Sequence, residues 1–213
     1  LTPNDIILRR IGNDLIVRII DTTDKLAVKD YFRNDSTMNK IEQIQFMDGT
    51  VWTGSAIAQK VNLPSEDDDM LTGGIANDNL RGLGGNDMLY GFNGSDTLQG
   101  NEGDDKLYGG GGEDILDGGS GDDTIDGGTG SDTYIFGKGS GRDTVIDTDT
   151  AAGNTDTILL GADITASDVR IQQDGDDLIL KITDNGQLTT DKLTVKNWFL
   201  NEDPRYRVEN IKF

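Results

Sequence analysis

The chain has 213 residues, of which 39 are acidic and 19 basic, giving a net charge of −20 at pH 7. That balance argues against nucleic acid or an anionic membrane surface as partner. With no histidine and no cysteine, it lacks the commonest general base, the thiol nucleophile, and the nitrogen and sulfur ligands that zinc and softer metals prefer.

No apolar run long enough for a membrane span and no signal-peptide pattern occurs. The missing cysteines fit a bacterial protein exported without passing a disulfide-forming compartment. The chain starts at Leu1 rather than methionine and stops at Phe213, so it is expected to be a fragment of something longer.

Residues 1–60 read as a small β module. Ile6 and Leu8 alternate, then Leu15, Val17 and Ile19, with a turn at Gly12-Asn13 between them, which predicts a hairpin. Leu26 and Val28 mark a third strand before Tyr31-Phe32. Ile41, Ile44 and Phe46 mark a fourth, stopped by Asp48-Gly49, and Ser55 to Lys60 suits one helical turn after Trp52.

Gly73 to Ile135 then divides without remainder into seven nine-residue units, beginning GGIANDNLR and GLGGNDMLY and ending GGTGSDTYI. Position 6 is always aspartate: Asp78, Asp87, Asp96, Asp105, Asp114, Asp123 and Asp132. Position 8 is always large and apolar: Leu80, Leu89, Leu98, Leu107, Leu116, Ile125 and Tyr134. A degenerate unit, Pro64 to Thr72, precedes them with Asp69 and Leu71 in phase. After a slip at Phe136-Gly137, Gly139, Gly141, Asp143 and Val145 resume the pattern, and Asp156-Thr157-Ile158 suits one more rung.

The glycines permit sharp turns, so each unit is expected to be a turn followed by a three-residue strand with only position 8 pointing inward. If two units complete a coil, aspartates eighteen residues apart become neighbours. Like charges at about 5 Å repel by roughly 1 kcal/mol in water and more when desolvated. A hard divalent cation reverses that sign, and calcium suits carboxylates mixed with carbonyls in a flexible turn better than magnesium does. The expected carbonyl ligands lie at positions 2 and 4: Gly74, Ala76, Gly85, Gly94, Gly103, Gly110, Gly112, Gly119, Gly121, Gly128 and Gly130. Between Pro64 and Ile135 there are 17 acidic residues and 2 basic ones, so about six calcium ions between paired coils would nearly neutralise the segment. Without calcium this glycine-rich acidic stretch is expected to be disordered.

The pattern G-G-x-G-x-D-x-U-x resembles the RTX family, secreted bacterial proteins whose repeats form a calcium-loaded parallel β-roll. The resemblance implies an all-β fold, a right-handed parallel β-roll from 61 to 159, and export by type I secretion machinery. The β module recurs after the roll. Residues 1–22 match 164–185, as in Asp5 with Asp168 and Leu15 with Leu178. After an insertion near Gly186, Asp24-Lys25-Leu26 meets Asp191-Lys192-Leu193, and the segment from Glu42 to Phe46 meets Glu209 to Phe213. The expected plan is a cap over 1–60, the roll, and a second, shorter antiparallel cap over 160–213 that lacks a counterpart of Trp52. The caps resemble the module that accompanies such repeats in hemolysin-type calcium-binding proteins.

Other chemistries find little support. An EF-hand starting at Asp147 fails at Ala152, where its glycine belongs, and at Ile158, where its glutamate belongs. No phosphate-binding glycine loop occurs. The chain is expected not to be an enzyme. Two alternatives stay open: self-cleavage at Asp203-Pro204 or an accessory role in a secreted enzyme, and adhesion to glycan or a host surface through a cap face or the column of Tyr90 and Tyr108.

Overall fold

A computed structural model describes residues 1–11, 14–20, 22–29, 31, 43–61, 63–147, 149, 153–200 and 208–213. The turn at Gly12-Asn13, Phe32, Ile41 and the Asp203-Pro204 bond lie outside the described residues. The chain forms two units, Leu1–Pro64 and Ser65–Phe213.

In the first unit, alternation produces strands β1 (Ile6–Ile11), β2 (Asp14–Ile19) and β3 (Lys25–Val28), an antiparallel sheet in that order. Leu8 and Leu15 pack with Tyr31, Phe46, Trp52, Ile57 and Val61. β4 (Gln43–Gln45) turns back through Gly49, at φ +90°, into β5 (Val51–Thr53). β5 was not anticipated, because a single apolar side chain, Trp52, fills its inward side. The expected helical turn is the eight-residue helix α1 (Gly54–Val61), whose start is capped where Thr53 Oγ1 accepts the Ala56 N–H.

The second unit is the roll. Its strands are β6 (Met70–Thr72), β7 (Asn79–Gly84), β8 (Met88–Asn93), β9 (Thr97–Glu102), β10 (Lys106–Gly111), β11 (Ile115–Ser120), β12 (Thr124–Thr129), β13 (Thr133–Phe136), β14 (Arg142–Val145) and β15 (Thr157–Leu160). Even-numbered strands form one parallel sheet and odd-numbered ones the other. Register is strictly two units per coil: Leu71 pairs with Leu89, Leu89 with Leu107 and Leu107 with Ile125, while Leu80 pairs with Leu98, Leu98 with Leu116 and Leu116 with Tyr134. The two irregular rungs keep phase, with Val145 on Ile125 and Ile158 on Tyr134. These side chains form one continuous core.

The strands are longer than expected. Six residues, not three, are extended in most units, because the strand continues from position 7 through position 3 of the next unit. Alternation then turns position 1 inward as well as position 8. A glycine occupies every position 1, and its missing side chain leaves the space that the site uses.

β16 (Val169–Asp174), β17 (Asp177–Asp184) and β18 (Gln187–Val195) form an antiparallel meander, and β19 (Asn210–Lys212) closes the chain. This copy reproduces β1 to β4 of the first module. β16 stands 163 residues after β1, and β19 stands 167 residues after β4. It is not set apart from the roll: β18 pairs in parallel with β14, β19 with β15, and Leu180, Ile182, Leu193 and Val195 join the roll core.

Candidate metal centre

The position-6 carboxylates stand in two buried columns. In each column, Oδ1 accepts the backbone N–H of the aspartate one coil earlier. Asp87 takes the Asp69 N–H at 2.7 Å, Asp105 that of Asp87 at 2.7 Å, Asp123 that of Asp105 at 2.8 Å, and Asp143 that of Asp123 at 3.2 Å. On the other side Asp96 takes Asp78 at 2.8 Å, Asp114 takes Asp96 at 2.7 Å, Asp132 takes Asp114 at 2.9 Å, and Asp156 takes Asp132 at 2.8 Å. Thus all nine expected aspartates, Asp69 to Asp143, lie in the columns, and Asp156 joins them.

The second carboxylate oxygen is treated differently. Oδ2 of Asp87, Asp96, Asp105, Asp114, Asp123 and Asp132 is buried without a hydrogen-bond partner, and each of these residues is only 1 % exposed. At the first coil the same oxygen is satisfied: Asp69 Oδ2 accepts from Ser65 Oγ at 2.7 Å and Asp78 Oδ2 from the Gly74 N–H at 2.6 Å. A partnerless buried carboxylate oxygen is costly. Burial accordingly pushes the carboxyl groups of Asp105 and Asp114 up to about 6 and those of Asp87, Asp123 and Asp132 up to about 7, with neighbouring carboxylates adding to the rise. Asp143 rises to about 8, again chiefly by burial.

Position-1 glycines face these oxygens. A Cβ on Gly73 would stand 2.6 Å from Asp78 Oδ2 and 2.7 Å from Gly91 O, and the same pair of groups crowds Gly82, Gly91, Gly100 and Gly109. The space left by each of these position-1 glycines is thus bounded by a position-6 Oδ2 and by the carbonyl of the position-1 glycine two units on, a pairing not expected from the sequence. The carbonyls of Ala76, Gly85, Gly94, Gly103, Gly110 and Gly112 instead lie beneath the α-carbons two units on, at Gly94, Gly103, Gly112, Gly121, Gly128 and Gly130. Gly74 O accepts the Asn93 N–H at 3.1 Å. The carbonyl of Gly121 likewise lies beneath Gly141 and accepts the Arg142 N–H at 3.2 Å. Positive φ at positions 2 and 4 lets the stacked turns approach so closely, as at Gly112 (+131°) and Gly119 (+101°).

Among the described residues, no three carboxylates converge on one point. A cation seated here takes much of its coordination from carbonyl oxygen, which suits calcium. The donor set fits that ion: hard oxygen only, part of it anionic, with one buried oxygen per interior unit in need of a positive partner.

Sequence reasoning missed two further features. Position 5 forms its own ladder on the outer side, where Asn86 Oδ1 accepts the Asp104 N–H at 2.9 Å and Asp104 Oδ1 the Asp122 N–H at 2.8 Å. Its mixture of Asn, Asp, Ser and Glu hid it, since only an acceptor is needed there. The columns also end in the C-terminal module: Asp191 Oδ1 accepts the Gly141 N–H at 3.2 Å and Glu209 Oε2 the Asp156 N–H at 2.7 Å. Beside them Asp147, rejected above as the start of an EF-hand, is buried with an orphaned Oδ2, and burial together with Asp156 raises its carboxyl.

The family model for the haemolysin-type calcium binding protein related domain matches residues 14–56 and 177–213, the two copies of the module. The model for the RTX calcium-binding nonapeptide repeat matches residues 65–91, 90–125 and 113–145. No curated protein sequence matches. Among solved structures, the AlgE6R3 subunit of the Azotobacter vinelandii mannuronan C5-epimerase aligns with 65 % of this chain and 82 % of its own, at 24 % identity and a TM-score of 0.35. The extracellular lipase LipA from Serratia marcescens aligns with 100 % of this chain but 31 % of its own, at 15 % identity and a TM-score of 0.33.

Proposed function

The chain belongs, through residues 65–145, to the RTX calcium-binding repeat family, and from that premise we propose that it is a calcium-gated folding module of a larger exported protein. The observation that carries this reading is the row of buried carboxylate oxygens left without a donor while their partner oxygens are satisfied. Calcium, when bound, supplies the positive charge those oxygens lack. The chain's own residues do the rest: the Oδ1 ladder fixes each carboxylate, position-1 glycines keep side chains out of its way, and position-8 aliphatics hold the coils in register.

The gate follows from linkage. Six sites with a dissociation constant of about 0.1 mM, in the range of extracellular modules, would each contribute about 1.4 kcal/mol at about 1 mM calcium. Together that is roughly 8 kcal/mol, as large as the usual stability of a whole domain. At sub-micromolar calcium almost none of it remains. The chain would therefore stay unfolded inside a cell, in a form that type I secretion machinery can thread, and fold outside. Circular dichroism in millimolar calcium and in excess EGTA tests this: the β signal of the roll should be lost on chelation, and an unchanged spectrum overturns the reading.

A surface role is favoured by one feature. Tyr90 and Tyr108 stack at 4.9 Å and 8°, with Phe92 6.2 Å from Tyr90, a platform suited to a sugar face. Binding on a glycan array in calcium, lost in Tyr108→Ala, would establish it, and silence would leave the folding role alone.

A further inference from the structure

The two copies of the module bury different surfaces. In the C-terminal copy, Leu193 is 1 % exposed beneath the roll and Ile164 3 %; their counterparts in the N-terminal copy, Leu26 and Leu1, are each 59 % exposed. Val17 and Ile19, the counterparts of the buried Leu180 and Ile182, are only half-buried. With Ile44 these side chains line an open apolar cavity of about 500 Å³.

The strand edges differ in the same way. In the C-terminal copy, the Lys192 N–H bonds to Gly141 O at 2.7 Å and the Asn210 N–H to Asp156 O at 3.0 Å, which carries the two roll sheets into the module. Successive residues of a strand present their N–H and C=O groups to opposite edges. In the N-terminal copy Ile19 bonds to Asp24 O, so Asp24 and Leu26 face β2 while Lys25 and Ala27, the counterparts of Lys192 and Thr194, face outward. Phe46 bonds to Thr50 O, so Ile44 and Phe46 face β5, while Gln43 and Gln45, the counterparts of Asn210 and Lys212, face outward. Both edges that carry a roll in one copy have no strand partner among the described residues in the other.

We propose that this face of the N-terminal module is the seat for the C-terminal end of a second nonapeptide β-roll, one that precedes it in the same polypeptide as the resident roll precedes the C-terminal copy. The incoming roll adds one parallel strand to β3 and one to β4 and rests its last inward aliphatics on Val17, Ile19 and Leu26. The corresponding end of the resident roll is already covered by β18 and β19, so it is not the occupant. A long polypeptide built on this joint is a string of rolls, each closed by the module behind it.

The test adds a roll to the intact chain. Residues 65–163 are fused ahead of Leu1, which reproduces the native junction because Leu1 corresponds to Ile164. Hydrogen exchange read by mass spectrometry in millimolar calcium should show the amides of 25–28 and 43–45 exchanging at least tenfold more slowly in the fusion than in the original chain. Leu26→Asp should restore fast exchange in the fusion while leaving the calcium-induced circular dichroism of the original chain unchanged. Protected roll amides with unprotected β3 and β4 overturn the docking alone. Unprotected resident-roll amides in calcium overturn the folding gate, and this proposal with it. Concentration-dependent protection of β3 in the original chain, with a dimer in sedimentation, assigns the face to a second copy and overturns the proposal.

Discussion

At position 6, the two oxygens of one carboxylate have separate duties: Oδ1 is a structural acceptor and Oδ2 is the charge awaiting a cation. Asp105→Asn keeps an acceptor and removes the charge, so it should raise the calcium midpoint for folding by an amount equal to one lost site, about 1.4 kcal/mol at about 1 mM calcium. Asp104→Asn, one residue earlier but exposed and needing only its acceptor, should leave the midpoint unchanged in the same calcium titration followed by circular dichroism. Position-1 glycine gives a second contrast. Gly100→Ala drives a Cβ into Asp105 Oδ2 and Gly118 O and should prevent calcium-induced folding. Gly111→Ala at position 3, where the nearest atom is Thr129 Oγ1 at 3.3 Å and φ is not positive, should fold.

At the level of the strand and turn, the unit length decides the fold. Nine residues with two inward positions and two left-handed positions suit a coil of two units. Leu83, Phe92 and Asn101 hold φ of +85°, +75° and +78° at position 2, where the other turns use glycine. A left-handed leucine costs roughly 1–2 kcal/mol. Leu83→Gly should therefore stabilise the calcium-loaded chain by about 1 kcal/mol in urea unfolding, part of the gain being offset by the freer unfolded chain. The columns of Asp and Leu, the two-unit coil and the doubled module were legible in the sequence because each rests on a repeated residue type. The position-1 carbonyls, the position-5 ladder and the closing roles of Asp191 and Glu209 were not. Backbone groups leave no mark in a sequence, and an acceptor that Asn, Ser or Asp can all provide shows no fixed letter. The strand length was misjudged because a glycine that points inward reads as a turn.

For the molecule as a whole, protons and calcium compete for the same oxygens. The folded-state pKa values of Asp87, Asp105, Asp114, Asp123, Asp132 and Asp143 are raised to about 6–8, above the unfolded value of about 3.9. Raised carboxyl groups favour the fold fully below about pH 4 and cease to do so as pH rises through 6–8. In EGTA, β structure measured by circular dichroism should therefore increase as pH falls from 8 to 5, whereas in millimolar calcium it should be present across that range, with more calcium needed at the acid end. Absence of any acid-induced gain in EGTA would show that the buried oxygens are solvated in the ion-free chain.

The carboxylate ladder has a polarity. Along position 6, each aspartate N–H from Asp69 to Asp132 reaches toward a carboxylate in the following coil, the Asp156 N–H reaches Glu209, and Asp191 takes the Gly141 N–H at the end of the other column. Assembly templated in this way zips from the carboxyl end backward, like a ratchet whose first tooth is the closing module. Removing residues 161–213 should leave a roll that no calcium concentration sets in motion, whereas removing residues 1–64 should leave the zipper intact.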